Sequence, residues 1–298
     1  MMFLGINAKD TVASLFSILH LDVLGLSAQR AFLAPFIRAV NYHDVPPFQA
    51  EAFEAQLIYF KQNFEVVGPA GLNLMASGQW GQRRPGLILS FDDGLRSHAD
   101  VVAPLLERHG LTGWFMVPGG FIDAPPEKQA LYAQESTIEY YEHDYGDPRI
   151  AMTWADIGRM AELHEIGCHT WSHTRLVDTL SEDDLDFEIL NAKRRLEVAL
   201  GRPVSTFCWV GGEEFTYSQS AARAIARAGF RFSFMSNNQV IRPSANLLQL
   251  QRTNIEARNP EKIVRFQLSG AMDLMYWPKR KRVNRVTRTD PEKIAVAR

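Results

Sequence analysis

Short runs of consecutive apolar residues, each followed by a stretch of helical period, recur from residue 37 to residue 268. This alternation constrains the fold more than any other feature of the chain. Residues 37–42, 87–91, 113–117, 165–168, 204–209, 231–235 and 247–251 read as buried strands. Residues 51–64, 97–109, 154–164, 180–200, 218–228 and 260–268 read as helices, because their apolar residues fall at the spacings of three and four that share a helix face. Strands alternating with helices of this length form βαβ units, whose strands run parallel and are covered by helices. The expected class is therefore α/β, with a mostly parallel sheet, either open or closed into a barrel.

Three segments stand outside the alternation. Before it, residues 1–37 read as an N-terminal helical extension, with Val12, Leu15, Phe16, Leu19, Val23, Leu26 and Phe32 in helical spacing and a break near Gly25. Within it, residues 121–152 read as a long irregular insertion rich in Pro, Tyr, Glu and Asp, and such a loop usually serves as a lid or a binding loop. After it, residues 271–298 form a basic tail, expected to be mobile. Leu274 to Pro278 lead into Lys279, Arg280, Lys281 and Arg282, with Arg285 and Arg288 beyond and no acid before Asp290. Such a tail can lie solvated or against an anionic leaflet, where each basic residue contributes roughly 1 kcal/mol.

Charge and cysteine content narrow the function classes. The 32 basic and 34 acidic residues leave a net charge of -2, so no overall field recruits nucleic acid. Two cysteines, Cys168 and Cys208, do not make a disulfide framework. No secretory signal is read before His20 and Asp22, and no run is long enough to span a bilayer. A cytoplasmic location is expected, at most at the inner membrane surface.

Chemistry concentrates at two strand ends. The run 87–91 ends in Asp92-Asp93-Gly94, two adjacent carboxylates at the carboxyl end of a buried strand, where α/β folds place their sites. Neighbouring carboxylates repel, and the pair is tolerable when a cation neutralises one and the other is free to accept a proton. The alternative is that one of them caps the following helix. The run 165–168 leads into His169-Thr170-Trp171-Ser172-His173, whose two imidazoles can face one ion if the turn is helical. An Asp with two His makes a three-ligand set that leaves room for water. Zinc suits it, and cobalt or nickel would fit too.

Ser90-Phe91-Asp92-Asp93-Gly94 together with His169-Thr170-Trp171-Ser172-His173 resembles the first two motifs of the polysaccharide deacetylases, the NodB-homology proteins of carbohydrate esterase family 4. Weaker similarity runs from Asn41-Tyr42-His43-Asp44-Val45 through Thr153-Trp154 to Leu250-Gln251-Arg252-Thr253-Asn254-Ile255, so the likeness covers about residues 38–268. The resemblance implies a distorted (β/α) barrel of seven parallel strands over residues 38–270. It also implies hydrolytic removal of acetyl groups from sugars with one divalent metal ion. Matched position by position, Asp93, His169 and His173 would be the metal ligands and Asp92 the general base, with Thr170 and Ser172 supporting the ligand turn. Trp171, Trp209 and Gly211 would face the substrate, an acetylated carbohydrate, either a polysaccharide or a lipid-linked precursor.

The sequence departs from the family in two places. The third motif usually carries an Arg or a Tyr-Pro, but Phe207-Cys208-Trp209-Val210-Gly211-Gly212 stands here, which leaves the orientation of the base open. Many members supply a late His as the general acid, and none follows His173. His43, at the end of the first strand, could reach the same face, or the metal-bound water could return the proton instead. Two other readings stay open: a catalytically silent sugar-binding or assembly protein, and a metal amidohydrolase acting on a small non-sugar amide.

Overall fold

A computed structural model describes residues 21–289. Seven parallel strands close into a barrel: β1 (Ile37–Tyr42), β3 (Gly86–Phe91), β4 (Gly113–Val117), β5 (Glu165–Cys168), β6 (Thr206–Cys208), β7 (Phe232–Met235) and β8 (Leu250–Asn254). Closure comes from β1, which pairs with β3 from Ile37↔Gly86 to Tyr42↔Phe91 and with β8 from Ala39↔Arg252 to Asn41↔Asn254. A two-residue strand, β2 (Glu65–Val66), pairs only with the start of β3. Every strand ladder is parallel, so all the carboxyl ends open on one face.

Alternation along the strands sorts side chains between two layers. Ile37, Ala39, Ile88, Trp114, Met116, Cys208, Phe232, Phe234 and Leu250 fill the barrel interior, while Val40, Tyr42, Leu87, Leu89, Phe91, Phe115 and Val117 pack beneath the helices. Trp114 closes the middle of the barrel. Its ring meets Phe232 and Phe234 edge-on at 5.9 and 5.5 Å, and its Nε1–H donates to the Val67 carbonyl at 2.9 Å. Gly167 makes room for that filling, since a Cβ there would come within 2.6 Å of the Met116 sulfur.

The expected elements differ from the structure at several edges. The last strand begins at Leu250 rather than at residue 247, because Asn246 folds a turn that receives the Leu248 N–H at 3.0 Å. The expected helix over 180–200 is made of Glu182–Leu185 and Ala192–Leu200 joined by a wider π-type stretch, and 97–109 is similar. The insertion is less irregular than its composition suggests, with helices at Gly119–Asp123 and Pro126–Glu135 before the irregular stretch 137–150. Instead of a mobile tail, residues 271–286 form two short helices, Ala271–Met275 and Trp277–Val286, that dock on the barrel. In the N-terminal extension a helix spans Leu21–Leu33, and residues 10–20 of the expected preface lie outside the described residues.

Arg38 ties the helices Leu21–Leu33 and Ala271–Met275 to β1. Its guanidinium is buried and pairs with both carboxylate oxygens of Asp273, at 2.7 and 3.0 Å, and donates to Gln29 Oε1 at 2.5 Å. Gln29 in turn donates to the Leu268 carbonyl at 2.9 Å. Removing one partner from a buried pair strands the other charge. Arg38→Ala is therefore expected to lower stability by ~2–3 kcal/mol in urea unfolding, at the low end because Asp273 keeps some solvent.

Candidate active site

Two carboxylates leave β3 in different directions. Asp92 continues the inward register of Ser90 and enters the barrel mouth, whereas Asp93 adopts φ 80°, a left-handed conformation that turns its side chain toward the end of β5. Thr170 and His173 are also left-handed, at φ 58° each. Such backbone costs about 1–3 kcal/mol per residue and persists where the surroundings enforce it. Here Met152 N–H donates to Gly94 O at 2.9 Å and Arg96 N–H to Ile150 O at 2.7 Å, which clamps the turn after Asp93.

Asp93, His169 and His173 converge. Asp93 Oδ1 lies 3.4 Å from His169 Nε2 and 3.0 Å from His173 Nε2, with all three side chains buried. The other nitrogen of each ring faces a main-chain carbonyl: His169 Nδ1 meets Cys208 O at 3.0 Å, and His173 Nδ1 meets Ser136 O at 2.7 Å. A carbonyl only accepts, so both Nδ1 atoms carry hydrogen, and a neutral ring so held presents its Nε2 lone pair toward Asp93 Oδ1. That oxygen is buried and has no hydrogen-bond partner. Three electron-rich atoms aimed at one point call for a cation, and a tetrahedral site with bonds of roughly 2.1 Å separates its ligands by about 3.4 Å. The residues therefore fit a divalent metal. That holds for neutral rings; with the imidazoles protonated instead, burial still raises the Asp93 carboxyl, but the charge of His173 and hydrogen bonds from both rings outweigh it and hold Asp93 well below the usual carboxylate range.

Asp92 has a different partner. Arg252, on β8, donates from Nη1 to Asp92 Oδ1 and from Nη2 to Oδ2, both at 2.7 Å, a bidentate pair in which both side chains are buried. The same guanidinium reaches Ser90 Oγ at 3.0 Å and Cys208 Sγ at 2.9 Å. Burial pushes the Asp92 carboxyl up, yet Arg252, with a smaller pull from His169, takes it below its ordinary value. Asp92 thus stays ionised beside an ionised neighbour, and each oxygen keeps a further lone pair for a proton. A second cluster that could ligate, Asp92 with His169 and Cys208, has this guanidinium in its midst. Burial keeps the Cys208 thiol well above its usual pKa, so it offers no thiolate.

Sequence reasoning does not single out Arg252 as a site residue. Its signal was available: Leu250, Arg252 and Asn254 share one face of a buried strand, and an arginine on an inward face requires an acid. The guanidinium absent from the third motif thus enters from β8. Glu188 was missed as well. Its buried carboxylate accepts the N–H groups of Trp171 and Ser172 at 2.9 and 2.8 Å and the Thr174 hydroxyl at 3.0 Å, so it holds the histidine turn. Thr170 helps by accepting the Thr174 N–H at 3.0 Å.

These groups form the floor of an open groove of about 770 Å³. His43, Trp209 and Gly211 line it, as do Tyr140 and Tyr141 from the insertion. Trp209 is buried, its Nε1–H donating to Ser233 Oγ at 2.9 Å, so it shapes the wall without offering a free face. Trp171 does not line this groove. Its ring packs against Gly119 and Gly120 and stands edge-on to Phe187, which corrects the expectation that it faces the substrate. His143 and Tyr145 belong to a small side cavity.

A family model described as polysaccharide deacetylase matches residues 81–233, just over half of the chain. The Streptococcus pyogenes deacetylase PplD in complex with acetate superposes with a TM-score of 0.61 at 17% identity, covering 77% of this chain and 96% of that one. IcaB from Ammonifex degensii gives 0.60 at 18% identity over 78% and 96%. A de-N-acetylase from Aggregatibacter actinomycetemcomitans gives 0.61 at 15% identity over 78% and 100%. At these identities the likeness is one of fold. No curated protein sequence matches the chain.

The division of roles can be measured directly. Cobalt titration should show one ion per chain, with affinity rising with pH because the imidazoles must be deprotonated. His173→Ala should weaken binding at least ~100-fold, while Asp92→Asn should change it only a few-fold, since removing a ligand costs more than altering a neighbour. Equal loss in both variants would contradict the assignment.

Proposed function

The chain belongs to the polysaccharide deacetylase family, and from that premise we propose that it is a metal-dependent hydrolase removing N-acetyl groups from an amino sugar. The substrate is an acetylated carbohydrate, in a polysaccharide or its lipid-linked precursor. One observation carries this reading: the two adjacent aspartates are separated electrostatically, Asp93 toward two imidazoles and Asp92 toward Arg252. A binding protein has no need for two ionised carboxylates in a buried position, and hydrolysis needs both.

Asp93, His169 and His173 would hold the ion. A divalent metal supplies Lewis-acid polarisation of the acetyl carbonyl and positive charge opposite the oxyanion that develops there. Zinc suits one carboxylate and two imidazoles, and cobalt or nickel suits the same donors. Asp92 takes a proton from the attacking water. Arg252 makes it a weaker base but keeps it ionised and fixes its plane.

Breakage of the amide also requires a proton on the leaving nitrogen. Among the described residues that line the groove, His43 is the one imidazole outside the ligand set. It stands at the end of β1, where its carbonyl meets the buried His98 Nε2 at 2.8 Å, and it would return the proton. The groove is far larger than a small amide requires, and its walls, which mix polar side chains with the rings of Tyr140 and Tyr141, favour a glycan. This places the small-amide reading second.

Acetate release from N-acetylglucosamine oligomers by the metal-loaded protein is the test. Asp92→Asn should lower kcat ~10³-fold with KM nearly unchanged, and His43→Ala roughly 10²-fold. Exclusive turnover of small amides would reject the carbohydrate reading, and a fully active Asp92→Asn would reject the base.

A further inference from the structure

The C-terminal helices present two faces of opposite character. Tyr276 links them in a helical conformation, its N–H donating to Met272 O at 3.0 Å while its carbonyl accepts from Arg280 N–H at 2.8 Å, so the turns run on from Ala271 to Val286. On the inner face, Arg280, Val283 and Thr287 are buried. Arg280 Nη1 donates to the carbonyls of Asn237 and Asp273, each at 3.1 Å, and to that of Asn238. Gln249 Nε2 reaches Thr287 Oγ1 at 2.8 Å. These bonds fix the helix against the ends of β7 and β8.

The outer face is apolar and cationic at once. Leu274, Trp277, Lys281 and Arg285 follow one another at intervals of three and four, which is one side of a helix. Leu274 is 79% exposed, Met275 70% and Trp277 51%. Lys281 Nζ sits 4.0 Å over the Trp277 ring. Among the described residues, Lys281, Arg285 and Arg288 have no acidic partner, whereas Arg282 is paired with Glu214. From residue 274 to 289 the sequence contains six basic residues and no acid. A neighbouring short helix, Glu214–Thr216, adds Phe215, 64% exposed.

This face adjoins the groove. Tyr276 and Lys279 form part of the groove wall, and Lys279 donates to the Gly212 carbonyl. The helices therefore have one side on the barrel, one flank in the groove and the remaining side in solvent.

We propose that the outer face docks on the surface of an anionic phospholipid bilayer. Three exposed cations without an acidic partner among the described residues, Lys281, Arg285 and Arg288, complement lipid phosphates. Exposed Leu, Met and Trp among them add what a purely electrostatic partner would not need, because they enter the interface between headgroups and acyl chains. No helix among the described residues is long and apolar enough to cross a membrane, so the contact is one of lying on the surface. Each basic residue near such a surface strengthens partitioning by about fivefold. Docking of this face does not depend on what the groove hydrolyses, and it places the groove mouth beside the bilayer.

Cosedimentation of the full chain with lipid vesicles tests it. The protein should sediment with vesicles of phosphatidylcholine containing about a third phosphatidylglycerol, leave them as salt is raised, and bind pure phosphatidylcholine weakly. The triple variant Lys281→Glu, Arg285→Glu, Arg288→Glu should lower partitioning at least roughly 100-fold. Leu274→Ala with Trp277→Ala should lower it about tenfold or more. All five positions are exposed and outside the groove, so circular dichroism, melting and acetate release should stay at wild-type values. Equal binding to neutral and anionic vesicles, binding to neither, or an unaffected triple variant would overturn the proposal. Tight binding of a duplex oligonucleotide without vesicle binding would also overturn it and reassign the surface.

Discussion

Two carboxylates side by side in a buried barrel mouth can both stay ionised only if each has its own positive charge. Asp92 and Asp93 are adjacent in sequence, and a regular strand would send them to opposite faces. The left-handed turn at Asp93 instead brings it to the end of β5, where the imidazoles of His169 and His173 meet it. Asp92 stays in register with Ser90 and receives Arg252 from across the barrel. Arg252 reaches it only because β8 pairs with β1 and β1 with β3. Barrel closure and the electrostatics of the site are one requirement, since an open sheet would leave Asp92 buried and unpaired.

The surroundings serve that arrangement. Main-chain carbonyls of Cys208 and Ser136 fix the tautomers of the two histidines, and Glu188 from the outer helices holds the turn that carries them. Carbonyl acceptors of this kind orient the rings with no added charge, while Glu188 places its charge on N–H groups of the turn. Elements far apart in sequence, from β1 to β8, thereby supply one chemical centre at the carboxyl ends of the strands.

Much of this was legible in the sequence, because βα alternation and strand-end position are local properties. The runs at 37–42, 87–91, 113–117 and 165–168 coincide with strands to within a residue, and the parallel ladders place Asp92, Asp93, His169 and His173 on one face. Arg252 was not legible as a partner because its acid lies 160 residues away and only the inward register of β8 announces it. Trp171 was misplaced for the opposite reason: neighbours in a motif need not share a direction once the backbone turns left-handed at Thr170. The tail read as mobile from its charge, since the carbonyls that hold Arg280 come from a loop whose shape the sequence does not display.

Anomalous diffraction from zinc-soaked crystals, collected at the zinc absorption edge, tests the central claim most directly. The account predicts one peak within about 2.0–2.2 Å of Asp93 Oδ1, His169 Nε2 and His173 Nε2, with Asp92 still paired to Arg252. A peak among Asp92, His169 and Cys208, or Arg252 swung away from Asp92, would contradict it.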